Sequence, residues 1–349
     1  MTAVDNKPTQ PGPSGLRRRR SSAASNNPAQ VLMEAAKTAE EKVSSALRLL
    51  LWNDLPAWRR DNAYILSGYR PDSNSYRKSF ASLGQLHNES VNIWSHLLGA
   101  AAFAATAGFL HAVIAKRYAT ASASDVLVFA CFLAGAVACL GMSATFHALS
   151  NHSPAVNRWG NKLDYSGIVL LIVGSHVPAL YYGFFCRPAM MTWALFFVSS
   201  LGCSLLWLRA GERLRLTDRK ICLLGTGCMV VSWMDHFRTP EWRPFRAMMF
   251  SGLGLSGIGP MIVGLVLDGY QKLEERMSLS WVAAHGALYL FGALLYATRF
   301  PERKYPGKFD IWGNSHQIFH ICVLLAAGTH LYGMAKAFDH HHTVMGAQC

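Results

Sequence analysis

Long blocks of apolar residues, separated by short polar stretches, fill this chain from about residue 91 onwards. A helix needs about 20 apolar residues to cross a bilayer, and several blocks reach that length. Seven clear runs lie at 93–115, 126–149, 164–184, 189–208, 245–267, 281–298 and 316–336, and a shorter one at 221–234 is marginal. A soluble all-helical core would not supply so many runs. The pattern predicts an all-α polytopic membrane protein.

The polar first quarter predicts three further segments. Residues 1–30 are rich in Pro, Ser, Asn, Gly and Arg, which predicts a disordered basic tail. Residues 31–51 are dense in helix formers with apolar positions three and four apart, as in an amphipathic surface helix, and 53–80 read as a turn-rich connector. We therefore expect a cytosolic helix and connector over 31–90, a seven-helix membrane domain over 91–336 and a short C-terminal tail over 337–349.

Charge sets the expected orientation. The net charge of +13 does not indicate nucleic-acid binding, because the basic residues gather in loops and in the N-terminal tail. Thirteen Lys and Arg precede the first span, whereas the loop after it has only Lys116 and Arg117. The positive-inside rule then places the N-terminus in the cytosol and, with an odd number of spans, the C-terminus on the far side. The plasma membrane and the endoplasmic reticulum both fit a multi-pass protein of this kind.

The cysteines suggest no chemistry. All eight lie mostly within or at the edges of apolar runs, and no two form a CxxC pair. The sequence therefore predicts neither a zinc finger nor a redox pair, and we interpret the cysteines as small apolar residues.

Polar side chains inside three spans point to a metal. Ser143 and His147 are four residues apart at the end of the second run, Asp164 begins the third, and His316 and His320 begin the last. With an odd span count all five lie at the cytosolic level of the membrane. Three imidazoles make a tetrahedral zinc site with one position open to water. The alternative is that the histidines are interfacial and bond to neighbouring helices.

The remaining histidines read as less informative. His330 lies ten residues, about 15 Å, above His320 and is too far along the helix to share a metal with it. His176 is expected to be packed or paired within its span. The run His340–His342 falls in the predicted soluble tail, where only weak, adventitious metal binding is expected.

Several long motifs resemble the progestin and adipoQ receptor family, in particular its fungal adiponectin-receptor-like, haemolysin-III-related members. They are LPAWRRDNAYILSGYRP, HNESVNIWSHLLG, SATFH, NKLDYSGI, FRTPEWRPFRA and FPERKYPGKFDIWGNSHQIFH, spread over about residues 52–336. The resemblance implies seven helices around a cavity and a zinc near the cytosolic face. Its ligands would be His147, His316 and His320, with Asp164 and Ser143 beside the metal-bound water. The family is similar to alkaline ceramidases, and its fungal members are linked to zinc and sterol-lipid homeostasis.

One departure from this family concerns the fourth span. The family has one span between Cys186 and FRTPEWRP, whereas this chain has two apolar runs, 189–208 and 221–234. If both crossed, His316 and His320 would lie a membrane thickness from His147. Length and charge favour 189–208 as the span, whereas the family pattern favours 221–234.

Three functions remain open from the sequence. A zinc-dependent hydrolase of ceramide-type lipid amides would use Asp164 as proton acceptor and Ser143 as hydrogen-bond donor, with a ceramide-like lipid or a fatty acid in the cavity. A receptor or sensor would use the zinc structurally and take an extracellular protein ligand. A zinc or proton transporter would need ionisable groups across the whole membrane, and the outer halves of the spans offer few. A soluble metalloprotease is not indicated, because Gln317 stands where HExxH has Glu.

Overall fold

The computed structural model of the chain describes residues 48–117, 121–202 and 233–349, all within one compact unit, Leu47–Cys349. The predicted tail over 1–30 lies outside the described residues, as does most of the amphipathic helix predicted over 31–51. The end of that helix was predicted wrongly. Residues 48–51 are not helical, and Leu50 instead forms an isolated bridge with Tyr69.

Helices dominate the described residues, which contain no strand beyond that bridge. In chain order the α-helices are α1 Tyr76–Ala81, α2 Ser90–Arg117, α3 Ala123–Leu149, α4 Pro154–Gly183, α5 Pro188–Gly202, α6 Arg243–Leu255, α7 Ile258–Met277, α8 Leu279–Thr298 and α9 Ser315–Thr343. Six stretches of the described residues are long and apolar enough to cross a membrane: α2, α3, α4, α8, α9 and the segment Pro240–Met277, which contains α6 and α7. The chain is therefore an all-helical, multi-pass integral membrane protein.

Helix α5 overlaps the apolar run 189–208, and 15 of its residues are described. This helix begins five residues after α4 ends, and its Ala194 packs against Leu180 and Phe184 at that end of α4. When the described chain resumes, Trp233 packs against Trp159 near the beginning of α4. Between Pro188 and Trp233 the chain therefore passes from one end of α4 to the other. Residues 203–232, which include most of the run 221–234, lie outside the described residues.

Helix α4 lies at the centre of the bundle and begins earlier than its apolar run. In the most apolar stretch of α4, 61% is buried inside the protein, against 11% in the corresponding stretch of α8. The predicted start was residue 164, but Ser153 caps the helix by accepting a bond from the Val156 amide, and Pro154 occupies its first turn. Asp164 therefore sits three turns inside α4 rather than at its mouth.

Helices α3 and α4 pack with their backbones in direct contact. A Cβ atom on Gly167 would lie 2.8 Å from the Cα of Cys139, and one on Gly135 would lie 2.7 Å from the carbonyl oxygen of Leu170. Small residues allow such close approach between membrane helices, whose association depends on packing rather than on the hydrophobic effect. This contact sets the separation between His147 on α3 and Asp164 on α4.

The bundle has two ends with different contents. We call the end where α3 finishes and α4 and α9 begin the site end, and the opposite one the far end. At the far end a disulfide joins Cys186, after α4, to Cys349 at the C-terminus. The interpretation of all cysteines as small apolar residues was therefore wrong for this pair. It fits Cys139 and Cys322, which are buried free thiols.

The C-terminal region also departs from the prediction. Helix α9 continues to Thr343, so residues 337–343 are its last two turns rather than part of a tail. His341 and His342 are buried, because these turns pack inside the far end. The expectation of a soluble histidine run was wrong for both residues.

Candidate metal centre

The structure brings three of the predicted site residues together at the site end. His147 lies in the last turn of α3, and His316 and His320 lie in the first turns of α9. The ring of His147 lies 5.0 Å from that of His316 and 4.8 Å from that of His320, measured between centroids. One nitrogen from each ring can be chosen so that all three lie within 4.8 Å of one another.

Two of the ring nitrogens fit a metal ligand role. The Nε2 atom of His147 and the Nδ1 atom of His320 are fully buried, and neither has a hydrogen-bond partner among the described residues. A buried polar atom without a partner is costly, which suggests a ligand outside the protein chain. Three imidazoles, of which those of His147 and His320 are buried and that of His316 is partly buried, are a donor set that zinc accepts. The residues present therefore fit a zinc ion.

Glu89 is a site residue that the sequence analysis missed. Its Oε2 atom lies 2.7 Å from Nδ1 of His147 and accepts a second bond, also of 2.7 Å, from the amide of Asn92. Burial raises the pKa of Glu89, but the imidazole of His147 outweighs this and holds the pKa below its usual range. The charged carboxylate holds the His147 ring so that Nε2 faces the other two imidazoles.

Arg70 binds the C-terminal end of α3, next to the site. Its guanidinium donates to the backbone carbonyls of His147, at 2.6 Å, and Ala148, at 3.0 Å. Burial lowers the pKa of Arg70 to about 10, which leaves the side chain charged at neutral pH. A cation at the C-terminal end of a helix satisfies its last carbonyls and complements its dipole. The backbone of His147 is thereby fixed.

The beginning of α9 is fixed by three other contacts. The His96 ring stacks on His320 with centroids 3.8 Å apart. Glu302 accepts from the backbone N–H and the hydroxyl of Ser315. Gln317, at the place of the glutamate in HExxH, ties the preceding loop to α2 by donating to the carbonyls of Ile311 and Asn88. Gln317 therefore has a structural role here and does not indicate acid–base chemistry.

Asp164 and Ser143, the predicted catalytic pair, are neighbouring side chains near His147. Both are at least nine-tenths buried, and both line the same cavity as His316 and His320. The structure therefore brings a carboxyl and a hydroxyl group to the edge of the histidine cluster.

The cavity runs inward from this cluster between the helices. Its volume is about 480 Å³, within the usual range for small-molecule sites, and its wall is mostly apolar. The glycine-rich stretch 251–260 contributes to one side through Ser251, Gly254 and Ile258. A single hydrocarbon chain suits such a space.

Further histidines lie deeper in the cavity, where the sequence analysis expected few ionisable groups. His176, His285 and His330 all line it, and the rings of His285 and His330 are 4.6 Å apart. His176 is packed as expected, with Nδ1 2.7 Å from the carbonyl oxygen of Ile172. The outer halves of these spans therefore hold more ionisable groups than the sequence analysis expected.

Comparison with known proteins gives consistent matches over most of the chain. Residues 84–222 and 208–331 match the haemolysin-III-related family, and the two segments overlap over 208–222, between the apolar runs 189–208 and 221–234. The chain is 41% identical over 331 residues to the ADIPOR-like receptor IZH2 of Saccharomyces cerevisiae, covering 95% of this chain and 94% of the yeast protein.

Two relatives from animals and plants extend this comparison. The chain is 40% identical over 319 residues to the Adiponectin receptor protein of Drosophila melanogaster, covering 90% of this chain and 66% of that protein. It is 32% identical over 306 residues to Heptahelical transmembrane protein 1 of Arabidopsis thaliana, covering 86% and 83% of the two chains. The chain thus spans nearly all of the yeast relative and just under two thirds of the fly protein.

Proposed function

Because this chain belongs to the haemolysin-III-related family of membrane proteins, which includes adiponectin-receptor-like proteins, we propose that it is a receptor-like, zinc-dependent hydrolase of ceramide-type lipid amides. One observation carries the proposal. Three histidines, two of which have a buried ring nitrogen without a partner among the described residues, meet a buried carboxyl and a buried hydroxyl at the head of an apolar cavity. Hydrolysis of a lipid amide needs the polar groups for the reaction and the apolar cavity for the acyl chain.

Zinc held by His147, His316 and His320 would lower the pKa of a bound water to about 7 and so supply the nucleophile. Asp164 would accept the proton that the attacking water gives up. Ser143 donates a hydrogen bond to the carbonyl oxygen as negative charge develops there. The C–N bond then breaks, Asp164 returns the proton to the leaving amine, and the products are a fatty acid and an amine.

The cavity accounts for the lipid class. Its apolar wall takes the acyl chain, and the polar groups at its head leave the amide at the histidines. The cavity wall excludes bulk water along the acyl chain of the substrate, and this strengthens the electrostatic interactions at the reacting carbonyl. We expect a single-chain acyl group to be held more tightly than a branched or polar one.

The names of the relatives favour a second candidate, a receptor whose zinc is structural. In that role the ion would tie α3 to α9, and signalling would follow from a ligand on the far side. The two candidates differ at Asp164, because only a hydrolase needs its carboxylate.

The test is turnover of a detergent-solubilised ceramide by the purified full-length chain, with zinc measured by elemental mass spectrometry. Asp164→Asn should lower turnover by about 100-fold or more while keeping about one zinc at this centre. His147→Ala should lose turnover and the zinc of this centre. Asp235→Asn, which changes a half-exposed carboxylate at the same end of the bundle, is the matched control and should keep both. Full turnover in Asp164→Asn, or none in the wild type, would favour the receptor candidate.

A further inference from the structure

A second cluster of metal-ligating side chains lies at the far end, away from the histidine centre. Asp125, His341 and His342 are all buried, and one ligand atom from each lies within 4.8 Å of the others. One of these contacts is 3.3 Å, between Oδ1 of Asp125 and Nε2 of His342. His342 is 22 residues from His320 along α9, which is about 33 Å. The two clusters are therefore separated by the thickness of the bundle.

Local structure holds Asp125 in place for this role. It is the third residue of α3 and forms a capping box with Ser122, whose backbone N–H and hydroxyl both donate 2.8 Å bonds to Oδ2. The other oxygen, Oδ1, accepts a 2.9 Å bond from the Tyr182 hydroxyl and faces His342. The cap therefore uses one carboxylate oxygen and leaves the other directed at the imidazoles.

Aromatic packing holds the two imidazoles. The ring of His342 lies 4.4 Å from Phe338, and the ring of His341 lies 4.2 Å from Phe185, between centroids. The two rings are 4.8 Å apart and nearly perpendicular, at 86°. Although adjacent residues of a helix diverge, their long side chains here converge on the same carboxylate.

We propose that Asp125, His341 and His342 form a second zinc site, built at the far end of the bundle. Two imidazoles and one carboxylate are a common protein donor set for Zn²⁺. Asp125 would supply a carboxylate oxygen and each histidine one ring nitrogen to a divalent cation. The site joins the beginning of α3 to the end of α9, beside the Cys186–Cys349 disulfide.

The first test is zinc stoichiometry of the full-length chain, purified without a polyhistidine tag and dialysed against a weak chelator. We expect about two zinc ions in the wild type, one in His342→Gln and one in His147→Ala. Asp125→Asn keeps the Ser122 cap and should also hold one. His340→Gln, which changes the neighbouring and partly exposed histidine, is the matched control and should hold two.

A second measurement separates loss of metal from loss of fold. In the His147→Ala background, added Zn²⁺ should raise the melting temperature through the far-end site alone. The rise should disappear in His147→Ala/His342→Gln and persist in His147→Ala/His340→Gln. The proposal is overturned if the wild type holds one zinc that His342→Gln keeps. It is also overturned if His340→Gln loses as much metal as His342→Gln, since the histidine run would then be binding adventitiously.

Discussion

At the scale of single residues, the site depends on groups that would never touch a substrate. Glu89 receives the Nδ1–H of His147, so the lone pair of Nε2 is left facing His316 and His320. A carboxylate behind a ligating histidine fixes its tautomer and orientation and makes the ring a stronger donor. Metal affinity should therefore depend on the charge of Glu89 as well as on its shape.

Glu89→Gln tests this dependence. The amide oxygen can still accept from His147, so the ring keeps its orientation but loses the charge behind it. We expect zinc affinity to fall by about 10- to 100-fold, measured by competition with a calibrated chelator. Glu241→Gln, a change of an exposed acid at the same end, should leave affinity unchanged. Equal affinities in both variants would contradict the assigned role of Glu89.

His87 gives the site end a pH dependence of its own. Burial, aided by the nearby Arg70, lowers its pKa to about 4, so the folded protein holds the ring neutral. The unfolded chain takes up a proton near pH 6.5. The contribution to stability is therefore complete above pH 6.5 and is lost as the pH falls towards 4.

Thermal unfolding at several pH values can isolate this contribution. We expect His87 to remove up to about 1.4 kcal/mol of stability per pH unit between pH 6.5 and 4. In His87→Asn the amide oxygen can still accept the Glu89 N–H that Nδ1 accepts now, and no proton is taken up. The variant should therefore lose less stability than the wild type over this range. Parallel curves for the two proteins would rule out the contribution.

At the scale of elements, the contact between α3 and α4 controls the site. Gly167 lies one turn beyond Asp164, and it meets the backbone of Cys139 rather than a side chain that could move. Any atom added there must separate the two helices. The distance between Asp164 and His147 thus depends on a glycine that is not itself part of the site.

Gly167→Ala should therefore destabilise the protein by about 1–3 kcal/mol through overpacking. Gly141→Ala on α3 is the control, because a Cβ atom there meets nothing within 4 Å. Thermal unfolding in detergent should show a lower melting temperature for Gly167→Ala only. A similar loss in both variants would mean that the close contact between α3 and α4 is not the cause.

The sequence predicted those site residues whose spacing along the chain indicates that they lie together. His316 and His320 were found because they are one helical turn apart, and His147 because an odd span count placed it at their level. Glu89 has no such spacing, since it precedes α2 and meets His147 only through tertiary packing. The early start of α4 left a signal, the Ser153–Pro154 cap, that hydropathy alone ignores.

Other features left no local signal at all. Cys186 and Cys349 are 163 residues apart and lack a motif, so their pairing follows only from the bundle bringing both to one end. The same holds for Asp125 and His342, whose contact depends on α9 continuing past its apolar run.

At the scale of the whole molecule, the two ends indicate an orientation. Disulfides persist in oxidising compartments and are rare in the cytosol, and the Cys186–Cys349 bond lies at the end opposite to the one that the basic residues predict to be cytosolic. Two independent features therefore predict that the C-terminus lies outside the cytosol.

A glycosylation acceptor tests this orientation in whichever membrane holds the protein. An Asn-X-Thr triplet on a hydrophilic extension after Cys349 should be glycosylated, giving a mass shift that an endoglycosidase removes. The native triplets at Asn88 and Asn151, both buried at the site end, should stay unmodified. Modification of either native triplet without modification of the extension would reverse the predicted orientation.

Helix α9 carries the proposed ligand residues of both sites, one set at each end, so the number of residues between them fixes their relative direction around the helix. The 22 residues from His320 to His342 make about six full turns, so both side chains leave the helix in nearly the same direction. A single residue inserted or deleted between them would rotate one end by about 100° against the other. A substitution along α9 leaves this angular relation unchanged, whereas the length of the stretch can change only in steps that restore whole turns.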